Sequence, residues 1–293
     1  MNPIFLESLK IERLTVEVEN LSSSLQGTKV IHLSDFHYDG KRLSESLLAE
    51  VIDLSNQENP DLILLTGDYV TDDPTPIHGL ALRLKKIKSR FGIFASLGNH
   101  DNYLPHSRQI ITRALQNINI RVLWNEIDFL MGRELAIIGF ADLWSEEFAP
   151  HFVFPKIAPQ VPRIVLSHNP DTAELLKKWR VDLQLSGHTH GGQIVIPPIG
   201  VFQNLLEPLR QTIPRFFHPY IPVLRECARV VRHWEWASGY YQVGQNKLYV
   251  NRGLGSYFPG RFYCPPELTV ITLVKSKPTL SPDLPSTPPK RVN

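Results

Sequence analysis

The feature of this sequence that most constrains its fold is a short apolar run that stops abruptly at a polar cluster. A short apolar run bounded by polar residues indicates a β-strand. The runs occupy residues 29–34, 61–65, 92–97, 163–166 and 181–185. The repetition predicts a sheet protein whose strands end where chemically active side chains begin.

Segments with helical spacing of apolar residues separate these runs. Residues 44–58 show it most clearly, and further helices are predicted at 76–88, 106–117 and 170–179. Residues 11–18 alternate as a half-buried strand does, and two hairpins are predicted at 127–139 and 238–251. Strands that alternate with helices favour an α/β fold, and the hairpins make its sheets mixed rather than purely parallel.

Composition excludes several classes of protein. The chain is 42% hydrophobic and 20% charged, which is typical of a soluble globular protein. Its net charge of +2 gives no reason to expect a nucleic acid polymer as partner. Two cysteines are too few for a disulfide framework, and no signal peptide or membrane-spanning run is recognised. We therefore expect a cytoplasmic protein that at most rests peripherally on a membrane; its oligomeric state is not predicted.

The domain organisation is predicted to be one domain over residues 1–274 and a disordered, proline-rich tail over 275–293. Residues 196–236 break the strand–helix rhythm with prolines, aromatic residues and arginines, and are interpreted as an insertion beside the site. It is either a flap that packs its aromatic residues onto the domain, which we favour, or a lipid-facing cap. In the second case the aromatic residues that enter the lipid interface are Phe216, Phe217 and Trp234, and the arginines that meet phosphates are Arg210, Arg215 and Arg225.

The polar clusters carry the chemistry. Sites in open α/β sheets form at the carboxyl ends of the strands, so five clusters at such ends can converge. Together they would supply two carboxylates, one amide oxygen and four imidazoles, from Asp35, Asp68, Asn99, His37, His168, His188 and His190. Oxygen and imidazole ligands without thiolate suit manganese, iron or zinc. Seven ligands are too many for one such ion, so two divalent ions that share a carboxylate are predicted.

Taken singly, most of the clusters are weak signals. Gly67-Asp68 is ordinary turn chemistry. The cluster at 187–192, with two histidines alternating between glycines, is the strongest, because its histidines point the same way and its glycines let the backbone approach an ion. In the cluster at 167–171, Asp171 is expected to cap the helix that begins near Thr172 rather than to act in catalysis.

The ordered set D-x-H, G-D, G-N-H-D, H-N-P-D and G-H-T-H-G-G resembles the calcineurin-like metallophosphoesterase superfamily. The last two motifs are most similar to its bacterial phosphodiesterase branch, which includes membrane-tethered relatives and enzymes resembling UDP-2,3-diacylglucosamine pyrophosphatases. The resemblance covers about residues 29–193 and resumes at 250–255 and 265–269. It implies a four-layer α/β/β/α sandwich of two mixed sheets.

The resemblance also implies a role for each residue of the motifs. One metal would be held by Asp35, His37, Asp68 and His190. A second would be held by Asp68, Asn99, His168 and His188, with Asp68 bridging the two. The histidine of G-N-H-D, His100, would contact the phosphate and protonate the leaving oxygen, and Asp101 would orient it.

The function implied is a phosphodiesterase or pyrophosphatase that acts on a lipid-linked or nucleotide-diphosphate substrate such as UDP-2,3-diacylglucosamine. The alternative within the enzyme class is hydrolysis of cyclic nucleotides or small phosphomonoesters. A non-catalytic scaffold of the same fold is a third interpretation. It is disfavoured, because the sequence keeps the whole ligand set and His100.

Overall fold

A computed structural model describes residues 7–202, 212–214, 216–217 and 231–276 of the chain. Two six-stranded sheets form its centre. The first has the order β1-β14-β2-β3-β4-β5. Its strands are β1 (Lys10–Val18), β2 (Lys29–Leu33), β3 (Leu62–Leu65), β4 (Ile93–Ala95), β5 (Ile120–Val122) and β14 (Glu267–Lys275). All its neighbouring pairs are parallel except β14 with β2.

The second sheet has the order β12-β13-β9-β8-β7-β6. Its strands are β6 (Glu126–Leu130), β7 (Leu135–Gly139), β8 (Arg163–Leu166), β9 (Leu183–Ser186), β12 (Gly239–Val243) and β13 (Asn246–Val250). The two predicted hairpins are its antiparallel edge pairs, and the four central strands are parallel. A small hairpin, β10 (Val195–Ile196) with β11 (Gly200–Val201), follows β9.

The helices cover the outer faces of both sheets. They are α1 (Glu45–Gln57), α2 (Ile77–Leu84), α3 (Ser107–Gln116), α4 (Pro150–Val153) and α5 (Thr172–Leu176). The sequence predicted the first three within two to four residues at each end; the helix predicted at 170–179 is shorter. Ser44 begins α1, and its hydroxyl accepts a hydrogen bond from the amide of Leu47 at 3.2 Å.

Alternating side chains of the strands build the layers. In β3, Leu62 and Leu64 pack against the second sheet, whereas Ile63 and Leu65 pack under the helices α1–α3. On the far side, residues of β7 and β8 pack against Val153 of α4 and other apolar residues. The predicted four-layer α/β/β/α sandwich of two mixed sheets is therefore confirmed.

Two predicted segments lie partly outside the described residues. β14 runs through Lys275, the first residue of the predicted tail, and the amide of Ser276 donates to the carbonyl of Val18 at 3.1 Å. Residues 277–293 are not described, nor are 203–211, 215 and 218–230 of the predicted insertion. None of the helices in the described ranges has the length and apolarity needed to cross a bilayer.

Candidate metal centre

The carboxyl ends of strands from both sheets meet at one place, where the polar clusters lie. Asp35 and His37 follow β2, Asp68 follows β3, and the turn 98–101 follows β4. The second sheet contributes His168 after β8 and the segment 187–192 after β9. Side chains far apart in sequence are thereby in contact, as between Asp35 and His190. The predicted convergence is what the structure shows.

Five of the seven predicted ligands have a positive φ angle, between 42° and 71°; they are Asp35, His37, Asp68, His188 and His190. This left-handed region is uncommon for residues other than glycine and costs on the order of 1–3 kcal/mol at each position. Such strain persists only where surrounding packing and hydrogen bonds fix the backbone, and it concentrates at functional sites. The turns after these strands are therefore shaped to aim side chains at a common point.

Glycines of the motifs make room for the carboxylates. A Cβ at Gly187 would lie 2.1 Å from Oδ2 of Asp35, and one at Gly98 would lie 2.1 Å from Oδ1 of Asp68. Any side chain at either position would displace a carboxylate that faces the site. Glycine is thus required at both positions, because Gly187 packs closely against Asp35 and Gly98 against Asp68.

The first donor group contains Asp35, His37 and His190, all buried. Nε2 of His37 lies 3.1 Å from Nε2 of His190, which is 3.4 Å from Oδ1 of Asp35. These three side chains can hold one ion. Oδ2 of Asp68 lies beside the group, 3.5 Å from Nε2 of His37.

The second donor group contains Asp68, His168 and His188. Nε2 of His168 lies 3.0 Å from Oδ2 of Asp68 and 3.2 Å from Nδ1 of His188. The same oxygen of Asp68 therefore faces both groups. Its other oxygen, Oδ1, accepts a hydrogen bond from the amide of His100 at 3.0 Å. This geometry matches the bridging role that the resemblance implies for Asp68.

Asn99 supplies the observation that tests whether a metal fits. Its Oδ1 atom is buried, and no hydrogen-bond partner reaches it from the part of the chain that the structure describes. A buried amide oxygen without a partner costs roughly 1–3 kcal/mol. A divalent cation would satisfy it, and the remaining donors, carboxylates and imidazoles, are those that manganese, iron and zinc accept. The residues present fit the metals.

The outer nitrogens of two ligand histidines are bonded to backbone carbonyls. Nδ1 of His168 lies 2.7 Å from the carbonyl of Thr66, and Nδ1 of His190 lies 3.4 Å from that of Gly255. Because a carbonyl only accepts, each Nδ1 carries a hydrogen, and Nε2 is the nitrogen that a metal would bind after losing any hydrogen of its own. Histidines that bind a metal usually donate their other ring N–H in this way.

Electrostatics couples the two central groups. Burial acts to raise the pKa of Asp68, but the neighbouring histidines, above all His168, hold that pKa well below its ordinary value. Burial acts to lower the pKa of His168, and the Asp68 carboxylate outweighs it and raises that pKa to about 10. The site therefore keeps Asp68 ionised, as a bridging ligand must be.

His100 is at the rim of the centre. Its amide is fixed by Asp68, its Nδ1 atom is bonded to the carbonyl of Thr71, and its side chain is about a quarter exposed. Nδ1 is therefore held by the backbone, and Nε2 is the nitrogen that could act on a substrate.

Asp101 does not contact His100 in the way the resemblance implies. Its carboxylate accepts hydrogen bonds from the amides of Asp68 at 2.7 Å, Tyr69 at 2.8 Å and Gly98 at 2.9 Å. Burial, with the charge of Asp68, raises the pKa of Asp101 to about 7. Asp101 therefore holds two ligand-bearing turns together, and it is the carbonyl of Thr71 that orients His100.

The predicted capping bond of Asp171 is wrong. The residue itself is in helical conformation, with φ −58° and ψ −21°, and its side chain makes no capping bond to α5. Instead its carboxylate accepts hydrogen bonds from the amides of Arg232 at 2.8 Å and His233 at 3.0 Å. Asp171 thus fastens the place where the chain returns from the insertion. Sequence spacing could not reveal partners 61 and 62 residues away.

Sequence reasoning missed three residues of this region, all after residue 192. Gln193 and Tyr257 are hydrogen-bonded to each other beside the histidines. Arg261 is fully buried and donates to several carbonyls around the ligands. The renewed resemblance at 250–255 marked the neighbouring loop, but neither residue type nor spacing distinguished these three.

Comparison with known proteins agrees with this geometry. The sequence profile of the calcineurin-like phosphoesterase family matches residues 28–192. Phosphodiesterase YaeI of Escherichia coli (strain K12) is 32% identical over 250 residues, which are 84% of this chain and 82% of that protein. An uncharacterized metallophosphoesterase of Bacillus subtilis (strain 168), YkuE, is 30% identical over 276 residues, 92% of this chain and 87% of that protein.

A third relative has a named substrate. The UDP-2,3-diacylglucosamine pyrophosphatase LpxG of Chlamydia muridarum (strain MoPn / Nigg) is 26% identical over 312 residues, 90% of this chain and 88% of that protein. The family profile covers more than half of the chain, and the identity to YaeI extends over most of both sequences. The chain therefore belongs to the calcineurin-like phosphoesterase family and is a metal-dependent phosphoester hydrolase.

Proposed function

We propose that this enzyme cleaves a phosphodiester or pyrophosphate bond in a lipid-linked or nucleotide-diphosphate substrate of the UDP-2,3-diacylglucosamine type. It would use two divalent ions, manganese, iron or zinc. The first would be held by Asp35, His37, Asp68 and His190, and the second by Asp68, Asn99, His168 and His188. The main support for a two-metal hydrolase is that one oxygen of Asp68 faces both donor groups.

The protein residues have defined tasks in such a reaction. A pair of bound dications supplies a nucleophile near neutral pH and neutralises phosphate charge. The buried ligands would hold both ions, and Asp101 fixes the turns that carry Asp68 and Asn99. His100, whose Nδ1 is held by the carbonyl of Thr71, would donate a proton from Nε2 to the departing oxygen.

Exposed apolar residues on loops at the same strand ends support a substrate with acyl chains. Tyr103 and Leu104 follow the turn that carries His100, and they are 68% and 41% exposed. Phe258 follows Tyr257, whose hydroxyl lies beside His37, and Phe262 is paired with Ile194 near the β10–β11 hairpin. Exposed aromatic and aliphatic residues around a charged site suit a lipid whose phosphate enters and whose chains stay outside.

The lipid-facing cap, the less favoured interpretation of the insertion, is compatible with the same proposal. Phe216 and Phe217 are 72% and 50% exposed, as the lipid-facing interpretation requires, whereas Trp234 is half-buried. The arginines expected beside them, Arg210, Arg215 and Arg225, lie outside the described residues. Co-sedimentation with phosphatidylglycerol vesicles that is lost in Phe216→Ser/Phe217→Ser would support the contact. Equal sedimentation of variant and wild type would remove it.

A substrate panel tests the proposed function. Purified enzyme with manganese is given UDP-2,3-diacylglucosamine, UDP-N-acetylglucosamine, bis-p-nitrophenyl phosphate, cyclic AMP and p-nitrophenyl phosphate. We expect the highest kcat/KM on the acylated diphosphate and measurable activity on the diester. A preference for the phosphomonoester or the cyclic nucleotide would contradict the lipid-linked proposal.

The exposed apolar residues around the site are here called the rim, and variants of two of them, Leu104 and Phe258, separate substrate binding from chemistry. Leu104→Ser and Phe258→Ser should raise KM for the acylated substrate by several-fold and leave that for bis-p-nitrophenyl phosphate unchanged, because only the former has chains to bury. Leu82→Ser, at a 66% exposed position on α2, is the matched control. An equal effect of rim and control substitutions would remove the role of the rim.

A further inference from the structure

The hydroxyl of Tyr257 lies between a predicted metal ligand and the predicted acid. Its Oη atom is 3.2 Å from Nδ1 of His37 and 3.4 Å from Nε2 of His100. The tyrosine ring is centred 5.0 Å from the His37 ring and 6.3 Å from the His100 ring. No sequence motif discussed above contains this residue.

The contact with His37 has a defined direction. Nε2 of His37 faces the first donor group, so its lone pair must be free for an ion. An imidazole that binds a metal through one nitrogen carries its hydrogen on the other. Nδ1 of His37 therefore donates to Oη of Tyr257. The tyrosine takes the place that backbone carbonyls take for His168 and His190.

The contact with His100 follows from the first. Since Oη accepts from His37, its own hydrogen is free to point elsewhere. Nδ1 of His100 faces the carbonyl of Thr71 and so carries a hydrogen, which leaves Nε2 as an acceptor in the neutral ring. In the neutral ring the tyrosine O–H donates to this Nε2 atom. When His100 carries the second hydrogen that an acid needs, its Nε2–H donates instead, either to Oη or to the leaving oxygen. One hydroxyl thus connects His37 and His100 in a single directed chain of hydrogen bonds.

The backbone around Tyr257 is tied to the ligand-bearing loops. Its amide donates to Oε1 of Gln193 at 2.6 Å, directly after the glycines of the 187–192 cluster. The amide of Gly255 donates to the carbonyl of Asp35 at 2.7 Å, and a Cβ there would lie 2.9 Å from Cβ of His37. The guanidinium of Arg42 lies 4.5 Å above the centre of the tyrosine ring. The position of the hydroxyl is therefore fixed from three sides.

We infer that Tyr257 is a positioning residue of the metal centre, which sets the tautomer of His37 for ligation and orients the ring of His100 for the leaving group. The part that concerns His100 rests on the proposed function. The part that concerns His37 is a matter of metal binding alone. The two parts have separate measurements.

The first measurement is metal affinity without substrate. Manganese is titrated calorimetrically into metal-depleted wild type, Tyr257→Phe and Tyr263→Phe, the last at a 63% exposed position as the matched control. Loss of the group that hydrogen-bonds a metal-binding histidine typically weakens metal binding by about 10- to 100-fold. We expect that loss in Tyr257→Phe for one of two ions, with the other ion and the control unchanged. Affinities equal to wild type at both sites would overturn the role towards His37.

The second measurement separates positioning from general damage. On a diester with an alkyl leaving group, Tyr257→Phe should lower kcat by about tenfold at unchanged KM, and on a nitrophenyl diester it should lower kcat less. Equal losses on both would overturn the role towards His100. Metal weakening with no turnover of any phosphoester by wild type would reject the proposed function and leave the role towards His37 standing. Melting temperatures measured alongside show that the variant is folded.

Discussion

At the scale of single residues, the centre depends on which atom of each side chain faces inward. Oδ1 of Asp68 accepts a hydrogen bond from the amide of His100. This bond directs Oδ2 between the two donor groups. Carbonyls direct Nε2 of His168 and His190 inward in the same way. Binding metal therefore needs little rearrangement of these side chains.

Replacing His100 tests its role as the acid. His100→Ala should lower kcat on alkyl diesters by about 10²- to 10⁴-fold, because an alkoxide must be protonated as it leaves. On nitrophenyl esters, whose leaving group is stable as an anion, the loss should be far smaller. His151→Ala, at an exposed position, is the control. Equal losses on the two substrate classes would show that His100 does not protonate the leaving group.

His32 predicts a pH dependence of stability that does not involve the metal ligands. It is fully buried in β2, and burial lowers its pKa from 6.5 to about 3. Between pH 6.5 and about 3, His32 is therefore protonated in the unfolded chain and neutral in the folded chain. The free energy of unfolding falls as pH falls through that window, by up to about 1.4 kcal/mol per unit.

The His32→Gln variant should lose that dependence. Between pH 7 and pH 5, its free energy of unfolding in urea should drop by about 2 kcal/mol less than that of the wild type. His78→Gln, at an exposed position on α2, is the matched control. Identical pH slopes for His32→Gln and wild type would contradict the buried, neutral state of this histidine.

At the scale of elements, the strands were predictable and the loops after them were less so. The runs at 29–34 and 61–65 became β2 and β3 because short apolar segments are buried on both faces of a central strand. The ends of those strands fixed where Asp35 and Asp68 would lie. The pairing of Asp171 with amides of the returning insertion, and of Tyr257 with two histidines, depends on contacts between distant loops that no local pattern encodes.

Arg261, which sequence reasoning missed, holds a whole loop in place. Its guanidinium is buried and donates to the carbonyls of His190, Arg252, Gly253 and Gly255, and of Cys264. The loop that carries Tyr257 is thus wrapped around one cation and held against Asp35 and His190. A single arginine organises the loop without a carboxylate partner among these bonds.

Substitution of Arg261 should therefore destabilise the loop and the fold together. The carbonyls of His190, Gly253 and Gly255 have a second donor. Arg261→Met would therefore leave the carbonyls of Arg252 and Cys264 without a donor from the described residues, at about 1–3 kcal/mol for each group. We expect the melting temperature to fall by at least about 5 °C. Arg261→Lys keeps the charge but has fewer donors, so its melting temperature should lie between those of the wild type and Arg261→Met. A melting temperature unchanged in Arg261→Met would show that the loop is held by other contacts.

At the scale of the whole molecule, the two sheets act as one frame for the centre. The first sheet carries Asp35, His37, Asp68 and Asn99, and the second carries His168, His188 and His190. The α/β class, the layers and the convergence of ligands could be predicted because strand ends of packed sheets share an edge. The domain boundaries within 196–236 and beyond 276 stay predictions, since most of those residues lie outside the described ranges.

The central claim is that Asp68 joins two ions into one centre, and the metal content of the purified chain tests it most directly. Elemental analysis after manganese loading and desalting should find two ions per chain in the wild type. Asn99→Ala should retain one, and Asp68→Asn at most one, held weakly, because Oδ2 of Asp68 lies next to a histidine of each donor group. A wild type that binds one ion, or an Asp68→Asn variant that keeps two, would contradict the account.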